Sequence, residues 1–214
     1  LPALPPARGE AGRRGGLADV VFGLRYLVGN PLLLLSFAVD IAAMVLAIPR
    51  ALFPEMAGDR FGGAGAIGWL YAAIAIGSVL AGLTSGWIGR VRRQGAALIG
   101  AVVVWGLAVA ASGLAGRLWL CVLLLAVGGA ADLVSAVYRQ TILQTLAPDE
   151  LRGRMQGVFT AVVAGGPRLG DLRAGAMTAG LGAGSAWVVG GVSAAGVALL
   201  LGLCFPTLRR YRTR

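Results

Sequence analysis

The stretch YRQTILQTLAPDELRGRMQGVF, residues 138–159, places a short charged turn between two long apolar segments. Pro148 suits the start of a helix, where no backbone N–H is required. The acidic residues that follow it lie where a helix N-terminus favours negative charge. Arg152 and Arg154 are typical of loops on the cytoplasmic side of a membrane. The stretch therefore predicts a charged hinge between two membrane-spanning helices.

The composition of the whole chain supports a membrane protein. The 214 residues are 57% hydrophobic and 13% charged, whereas soluble domains average about 25% charged residues. Apolar runs of about 20 residues, the length that crosses a bilayer, recur along the chain. A soluble protein with this sequence would leave far too much apolar surface in water. An all-α integral membrane protein is therefore predicted.

The charge and the reactive side chains exclude several function classes. The formal net charge is +10, but the arginines gather at the ends of the apolar runs, where they set membrane topology rather than bind nucleic acid. Histidine is absent, and Cys121 and Cys204 both lie within apolar runs, so neither a metal site nor a disulfide framework is predicted. The sequence contains no nucleophile–base pair and no phosphate-binding loop. Neither an enzyme nor a bound cofactor is therefore expected.

The hydropathy pattern divides the chain into three regions. Residues 1–30 are predicted to be a cytoplasmic linker, whose last part, Leu17–Asn30, is compatible with an amphipathic helix on the membrane surface. Residues 31–208 hold six predicted spans, and residues 209–214 form a basic tail. Arginines concentrate in alternate loops and at both ends, so both termini are predicted to be cytoplasmic. The predicted spans are Leu32–Pro54, Ala66–Ile88, Gly95–Gly113, Leu118–Leu146, Gly157–Leu181 and Ser185–Leu208.

Two charges lie inside the first predicted span, where a charge at the bilayer centre costs about 2.5–3.5 kcal/mol. Asp40 either lines a polar pathway, where it could take up a proton, or is a packing carboxylate hydrogen-bonded to a neighbouring helix. Arg50 lies about 15 Å further along the helix, too far to pair with Asp40. Arg50 is expected to extend to the outer surface or to pair with Glu55.

The fourth predicted span contains Asp132 and, seven residues later, Arg139. Seven residues are two helical turns, so both side chains lie on one face about 10 Å apart. The long arginine side chain or a water molecule is expected to link them. Asp132 is a candidate for a proton or substrate pathway. Arg139 is a second candidate, with the alternative that it anchors the loop or forms a gate at the inner end of the helix.

The fifth predicted span contains GGPRLGDLRAG, residues 165–175. Pro167 lacks a backbone donor, and with the two glycines before it we expect the helix to be interrupted in mid-membrane. Arg168 and Asp171 are three residues apart and can pair on one face. Because interrupted helices with charges near the midplane point to transport sites, both are pathway candidates. A purely structural kink is the alternative.

Three stretches of the chain carry a family resemblance. They are the hinge (Arg139, Gln140, Gln144 and Pro148–Arg154), the segment GLTSGWIGRVRR at residues 82–93, and GPRLGDL at residues 166–172. Together they resemble the C-terminal half of a major facilitator superfamily transporter, in the branch of enterobactin exporters and similar drug or siderophore efflux proteins. In the second stretch, Gly86 replaces the acidic residue of the superfamily's loop signature. The loop-motif residues are Gly82, Gly86, Gly89, Arg90, Arg152, Gly153 and Arg154.

This resemblance implies one six-span half of a twelve-span fold in the cytoplasmic (inner) membrane. It implies a small-molecule substrate and protons as partners, with a missing N-terminal half or a second copy completing the cavity. The leading hypothesis is proton-coupled secondary active efflux of a small organic molecule, with Asp40, Asp132 and Asp171 as proton or substrate contacts. The alternative is a non-transporting half-transporter that packs against a partner membrane protein.

Overall fold

The computed structural model describes residue 23 and residues 25–212, and every regular element assigned among them is helical. Short 3-10 turns at Arg50–Leu52 and Ser85–Arg90 interrupt the α-helices. The predicted all-helical class is therefore confirmed. The α-helices after Asn30 are α1 (Pro31–Ala47), α2 (Phe53–Arg60), α3 (Ala64–Leu83), α4 (Gln94–Leu114), α5 (Leu118–Leu146), α6 (Asp149–Leu181), α7 (Ala183–Cys204) and α8 (Pro206–Arg209).

The start of α1 follows the local sequence. The Asn30 side chain accepts a hydrogen bond from the backbone N–H of Leu33 at 3.4 Å, and Pro31 occupies the first turn, where its missing N–H costs nothing. Of the predicted surface helix, residues 17–22 and 24 lie outside the described residues, whereas residues 25–29 are helical. The Tyr26 hydroxyl in this segment donates to the backbone oxygen of Leu146 at 3.1 Å, which ties the segment to the end of α5.

Five helical segments in the described part of the chain are long and apolar enough to cross a membrane. Helix α6 is not one of them, although its 33 residues exceed the required length. The sixth span and the cytoplasmic placement of both termini therefore stay predictions. The five segments are Pro31–Arg60, Ala64–Leu83, Gln94–Leu114, Leu118–Leu146 and Ala183–Cys204.

The first predicted span is not one continuous helix. Helix α1 ends at Ala47, and Ile48 adopts an extended conformation with φ −86° and ψ 112°. Pro49 explains this break, because its ring disfavours the α conformation of the residue before it. A 3-10 turn then starts at Arg50. The first predicted span is thus divided into two helical parts just before Arg50.

The predicted interruption of the fifth span is wrong. Helix α6 continues from Asp149 to Leu181 with Pro167 inside it. The contact with α1 supplies a reason, because Gly166 and Gly170 lie on either side of the proline and face Met44. A Cβ atom added at Gly170 would lie 2.5 Å from the Met44 backbone oxygen. Close packing on a neighbouring helix allows a membrane helix to run through a proline.

Helix α4 forms the centre of the bundle and makes its largest contacts with α5 and α7, whereas α3 packs on α5. Helix α1 packs on α6, α7 and α4. Glycines allow the closest of these contacts: a Cβ atom added at Gly77 of α3 would lie 1.8 Å from the Ala126 backbone oxygen of α5. The Trp187 side chain is 1% exposed and donates to the Val109 oxygen at 2.9 Å, which joins α7 to α4. Helix–helix contact of this kind is typical of membrane bundles.

Candidate functional site

A cavity of about 190 Å³ lies where α1, α3, α4, α5 and α6 meet. Seven of its nine lining residues are apolar, and the other two are charged: Asp132 of α5 and Arg50 of the first 3-10 turn. The other lining residues are Ala43, Met44, Ile48, Ile74, Trp105, Val163 and Pro167. Apolar walls with a few convergent polar groups are usual for small-molecule sites, but such sites measure about 300–1,000 Å³, so this cavity has room for only part of an organic molecule.

Contact between α3 and α5 holds Asp132 in this cavity. Gly129, three residues before Asp132, approaches α3 so closely that an added Cβ atom would lie 2.1 Å from the Ile74 backbone oxygen. The Ser78 hydroxyl is within hydrogen-bond distance of the backbone oxygens of Ile74, at 3.0 Å, and Gly129, at 2.9 Å. These contacts fix the rotation of α5 about its axis. The face that carries Asp132 is thereby held towards the cavity.

Arg50 reaches the cavity because α1 ends three residues before it. The predicted ion pair with Glu55 is wrong, since the ion pairs within the described residues join Asp40 to Arg139 and Asp149 to Arg152. The side chain of Arg50 instead lines the cavity that contains Asp132. Arg50 is also exposed, which agrees with the expected extension to the surface. The Ile48–Pro49 step is the sequence signal for the helix end that precedes it.

Arg139 pairs with Asp40, which lies 99 residues earlier on α1. Both residues are buried, Asp40 at 1% exposure and Arg139 at 4%. The predicted direct link between Arg139 and Asp132 is therefore wrong, and a link through water stays a prediction. A carboxylate in direct contact from another helix neutralises a buried guanidinium better than one two turns away on the same helix. Among the described residues, Asp40 Oδ2 and Arg139 Nε have no hydrogen-bond partner.

Arg168 and Asp171 do not pair, contrary to the prediction from their spacing. Arg168 is exposed, and Asp171 is partly buried with no hydrogen-bond partner for Oδ1 within the part of the chain that the structure describes. Pairs at this spacing on a helix contribute only about 0.2–0.5 kcal/mol, so the spacing alone does not determine contact. Both side chains lie on α6, the long helix with the weakest apolar character.

The loop-motif residues lie outside this cavity. Gly86, Gly89 and Gly153 have open space around them, and Gly82 lies near Leu133 of α5. Arg152 forms an exposed ion pair with Asp149 at 2.8 Å. Of the other motif arginines, Arg90 is exposed and Arg154 is partly buried. The functional role of the motif stays a prediction.

Comparison with known proteins shows the family to which this chain belongs. The sequence model of the transmembrane secretion effector family, part of the major facilitator superfamily, matches residues 18–213. The chain belongs to the major facilitator superfamily. It is similar to the enterobactin exporter EntS of Escherichia coli O81 (strain ED1a), with 34% identity over 221 residues, and to the EntS proteins of Escherichia coli O139:H28 and Shigella boydii serotype 18, with the same identity. No solved structure matches it.

These alignments cover 99% of this chain and 50% of each relative, so the chain spans about half the length of the curated relatives it matches. The predicted resemblance to the enterobactin exporter branch is confirmed. This major facilitator chain is accordingly a multi-pass membrane protein of a transport family, which is a class of transporters rather than enzymes. Its apolar helices agree with that assignment.

Proposed function

We propose that the chain is one six-helix half of a proton-coupled efflux transporter in the bacterial inner membrane, with both termini cytoplasmic. The substrate is a small organic molecule such as a drug or a siderophore. The relatives named as enterobactin exporters support efflux, and the arginine-rich alternate loops support the orientation. Helix α6 provides the sixth span, since its 33 residues are long enough to cross a bilayer.

The main support for this proposal is the cavity that Asp132 and Arg50 line. A carboxylate inside a membrane bundle is costly, and such residues mark proton relays and substrate pathways in transporters. Asp132 takes up and releases the proton in this proposal. Arg50 offers the ionised carboxylate a counter-ion in the same cavity. Trp105 and the aliphatic lining provide an apolar surface for an organic substrate.

Helix α6 supports the existence of a second half. Arg168 is exposed on the surface of the bundle, and Asp171 is only partly buried. A membrane helix with charges on its outer surface must place them against protein or water, because lipid tails cannot solvate them. We therefore place the α6 surface towards an N-terminal six-span half or a second copy of the chain. Arg168 and Asp171 then line the substrate pathway between the two halves.

Replacement of Asp132 by asparagine tests the proposal. The full-length protein that contains this chain is placed in everted membrane vesicles, and enterobactin uptake is measured with and without an imposed pH gradient. We expect Asp132→Asn to lose the gradient-dependent part of uptake, because an amide side chain, unlike a carboxyl group, does not ionise near neutral pH. The amount of protein in the membrane should stay at the wild-type level.

Asp59→Asn is the matched control, since Asp59 is exposed and does not line the cavity. It should keep gradient-dependent uptake. Uptake by Asp132→Asn that still responds to the gradient would contradict the assignment of Asp132. If the wild-type protein showed no uptake and neutral substitutions at Asp40, Asp132 and Asp171 caused no functional loss, the non-transporting alternative would be favoured.

A further inference from the structure

Four arginines converge on one cavity at the end of the bundle that holds the basic tail. Arg93 lies just before α4, and Arg209, Arg210 and Arg212 follow the last long helix. Together with Ala96 they line a cavity of about 550 Å³. Neither of the ion pairs found among residues 25–212 involves any of these arginines. Among the residues that the structure describes, no carboxylate lines this cavity, so the positive charge is concentrated there.

The backbone holds the two parts of this cluster together. The Gly95 N–H donates to the Tyr211 backbone oxygen at 3.5 Å, and Leu208 is fully buried. A Cβ atom added at Gly95 would lie 1.7 Å from the Leu208 backbone oxygen. Only glycine permits this approach, so the tail is seated directly on the first turn of α4. Packing of the tail against α4 thus brings the arginines together. A general excess of basic residues would not by itself place them in one cavity.

We propose that this cavity binds the phosphate of an anionic phospholipid. Arg93 precedes one candidate span and the tail arginines follow another, so the cluster lies at the boundary of the bilayer, where lipid phosphates are found. Guanidinium groups bind phosphate oxygens in a bidentate manner and fit this ligand better than other cations do. The site goes beyond the proposed transport function and does not depend on it.

Binding of lipid to the purified full-length protein tests the site. The protein is stripped of lipid in mild detergent and titrated with phosphatidylglycerol or phosphatidylcholine, and bound lipid is counted by native mass spectrometry. We expect phosphatidylglycerol to bind more tightly than phosphatidylcholine. Arg93→Gln should weaken it about fivefold and Arg209→Gln/Arg210→Gln about 25-fold, in line with the usual effect of one basic residue at an anionic surface. Arg92→Gln removes the same charge outside this cavity and should have little effect.

A second pair of variants separates geometry from charge. Gly95→Ala keeps all four arginines but displaces the tail, so it should also weaken phosphatidylglycerol binding. Gly100→Ala lies on the same helix in open space and should bind as the wild type does. The proposal fails if Gly95→Ala, with an unchanged melting temperature, binds normally, or if Arg92→Gln weakens binding as much as Arg93→Gln. It also fails if millimolar inorganic phosphate displaces the lipid completely, since the site would then belong to a free anion.

Discussion

At the scale of single residues, this bundle buries a charged side chain where an oppositely charged side chain contacts it directly. Asp40 and Arg139 lie on different helices and are almost fully enclosed, and each has the other as its charged partner. Asp149 and Arg152 form the same kind of pair within one turn of α6, but their side chains are 80% and 54% exposed. The free energy of the two pairs should differ greatly, because water screens the second pair and is excluded from the first.

We predict that removal of either partner of the buried pair destabilises the bundle strongly. Asp40→Asn or Arg139→Gln leaves an uncompensated buried charge, which costs about 3–5 kcal/mol. Replacement of both by apolar residues, Asp40→Leu with Arg139→Met, should recover most of this loss. Thermal unfolding of the purified protein in detergent measures the effect.

Asp149→Asn is the control, because an exposed pair contributes only about 0–1 kcal/mol. It should leave the unfolding temperature nearly unchanged. A double variant as unstable as either single variant would show that Asp40 and Arg139 do not act as a pair. A small effect of both single variants would contradict the burial that the structure shows.

Helix α6 is the element in which the structure expected from the local sequence differs most from the structure observed. It contains a proline, several glycines and charged residues, and it lacks the apolar character of the other long helices. It nevertheless forms one helix of 33 residues, packed mainly against α1. Contact with Met44 supports the helix where the sequence alone indicates an interruption. Whether it crosses the membrane depends on the solvation of its exposed charges.

We predict that the two ends of α6 lie on opposite sides of the membrane. Gly153→Cys and Leu181→Cys place single thiols at exposed positions at the two ends, in a background without Cys121 and Cys204. In intact cells, a membrane-impermeant maleimide should label the cysteine at position 181 but not the one at 153. Permeabilised cells, in which both should react, are the control. Equal labelling of both positions in intact cells would show that α6 does not span.

At the scale of the whole molecule, one long helix of the bundle carries an exposed charge. The described helices form a bundle centred on α4, yet α6 leaves Arg168 exposed at its surface. The chain also spans about half the length of the enterobactin exporters it resembles. Both observations support the proposal that a second half covers the charged surface of α6.

We predict that the protein in its native membrane has a denatured mass of about twice the 21.7 kDa of this chain. An antibody against the Arg209–Arg214 tail detects it after electrophoresis. A mass about twofold higher places both halves on one polypeptide. A band near 21.7 kDa would contradict this and would leave an assembly of two chains as the form to test for transport.

The sequence by itself determined the class of the protein and the family. These depend on composition, on run length and on short motifs such as the hinge at residues 148–154, all of which are local along the chain. The start of α1 at Asn30–Pro31 was predictable for the same reason. Asp40, Asp132 and Arg139 could be selected as candidates because charge in an apolar run is visible without a structure.

Only the tertiary structure decided which of these groups meet. Spacing along one helix suggested that Arg139 would join Asp132 and that Arg168 would join Asp171, but the partner of Arg139 comes from α1 and the second pair does not form. The entry of Arg50 into the cavity and the continuity of α6 through Pro167 also depend on packing. Such contacts join residues distant in sequence, and their energies exceed the weak local preferences that a sequence displays.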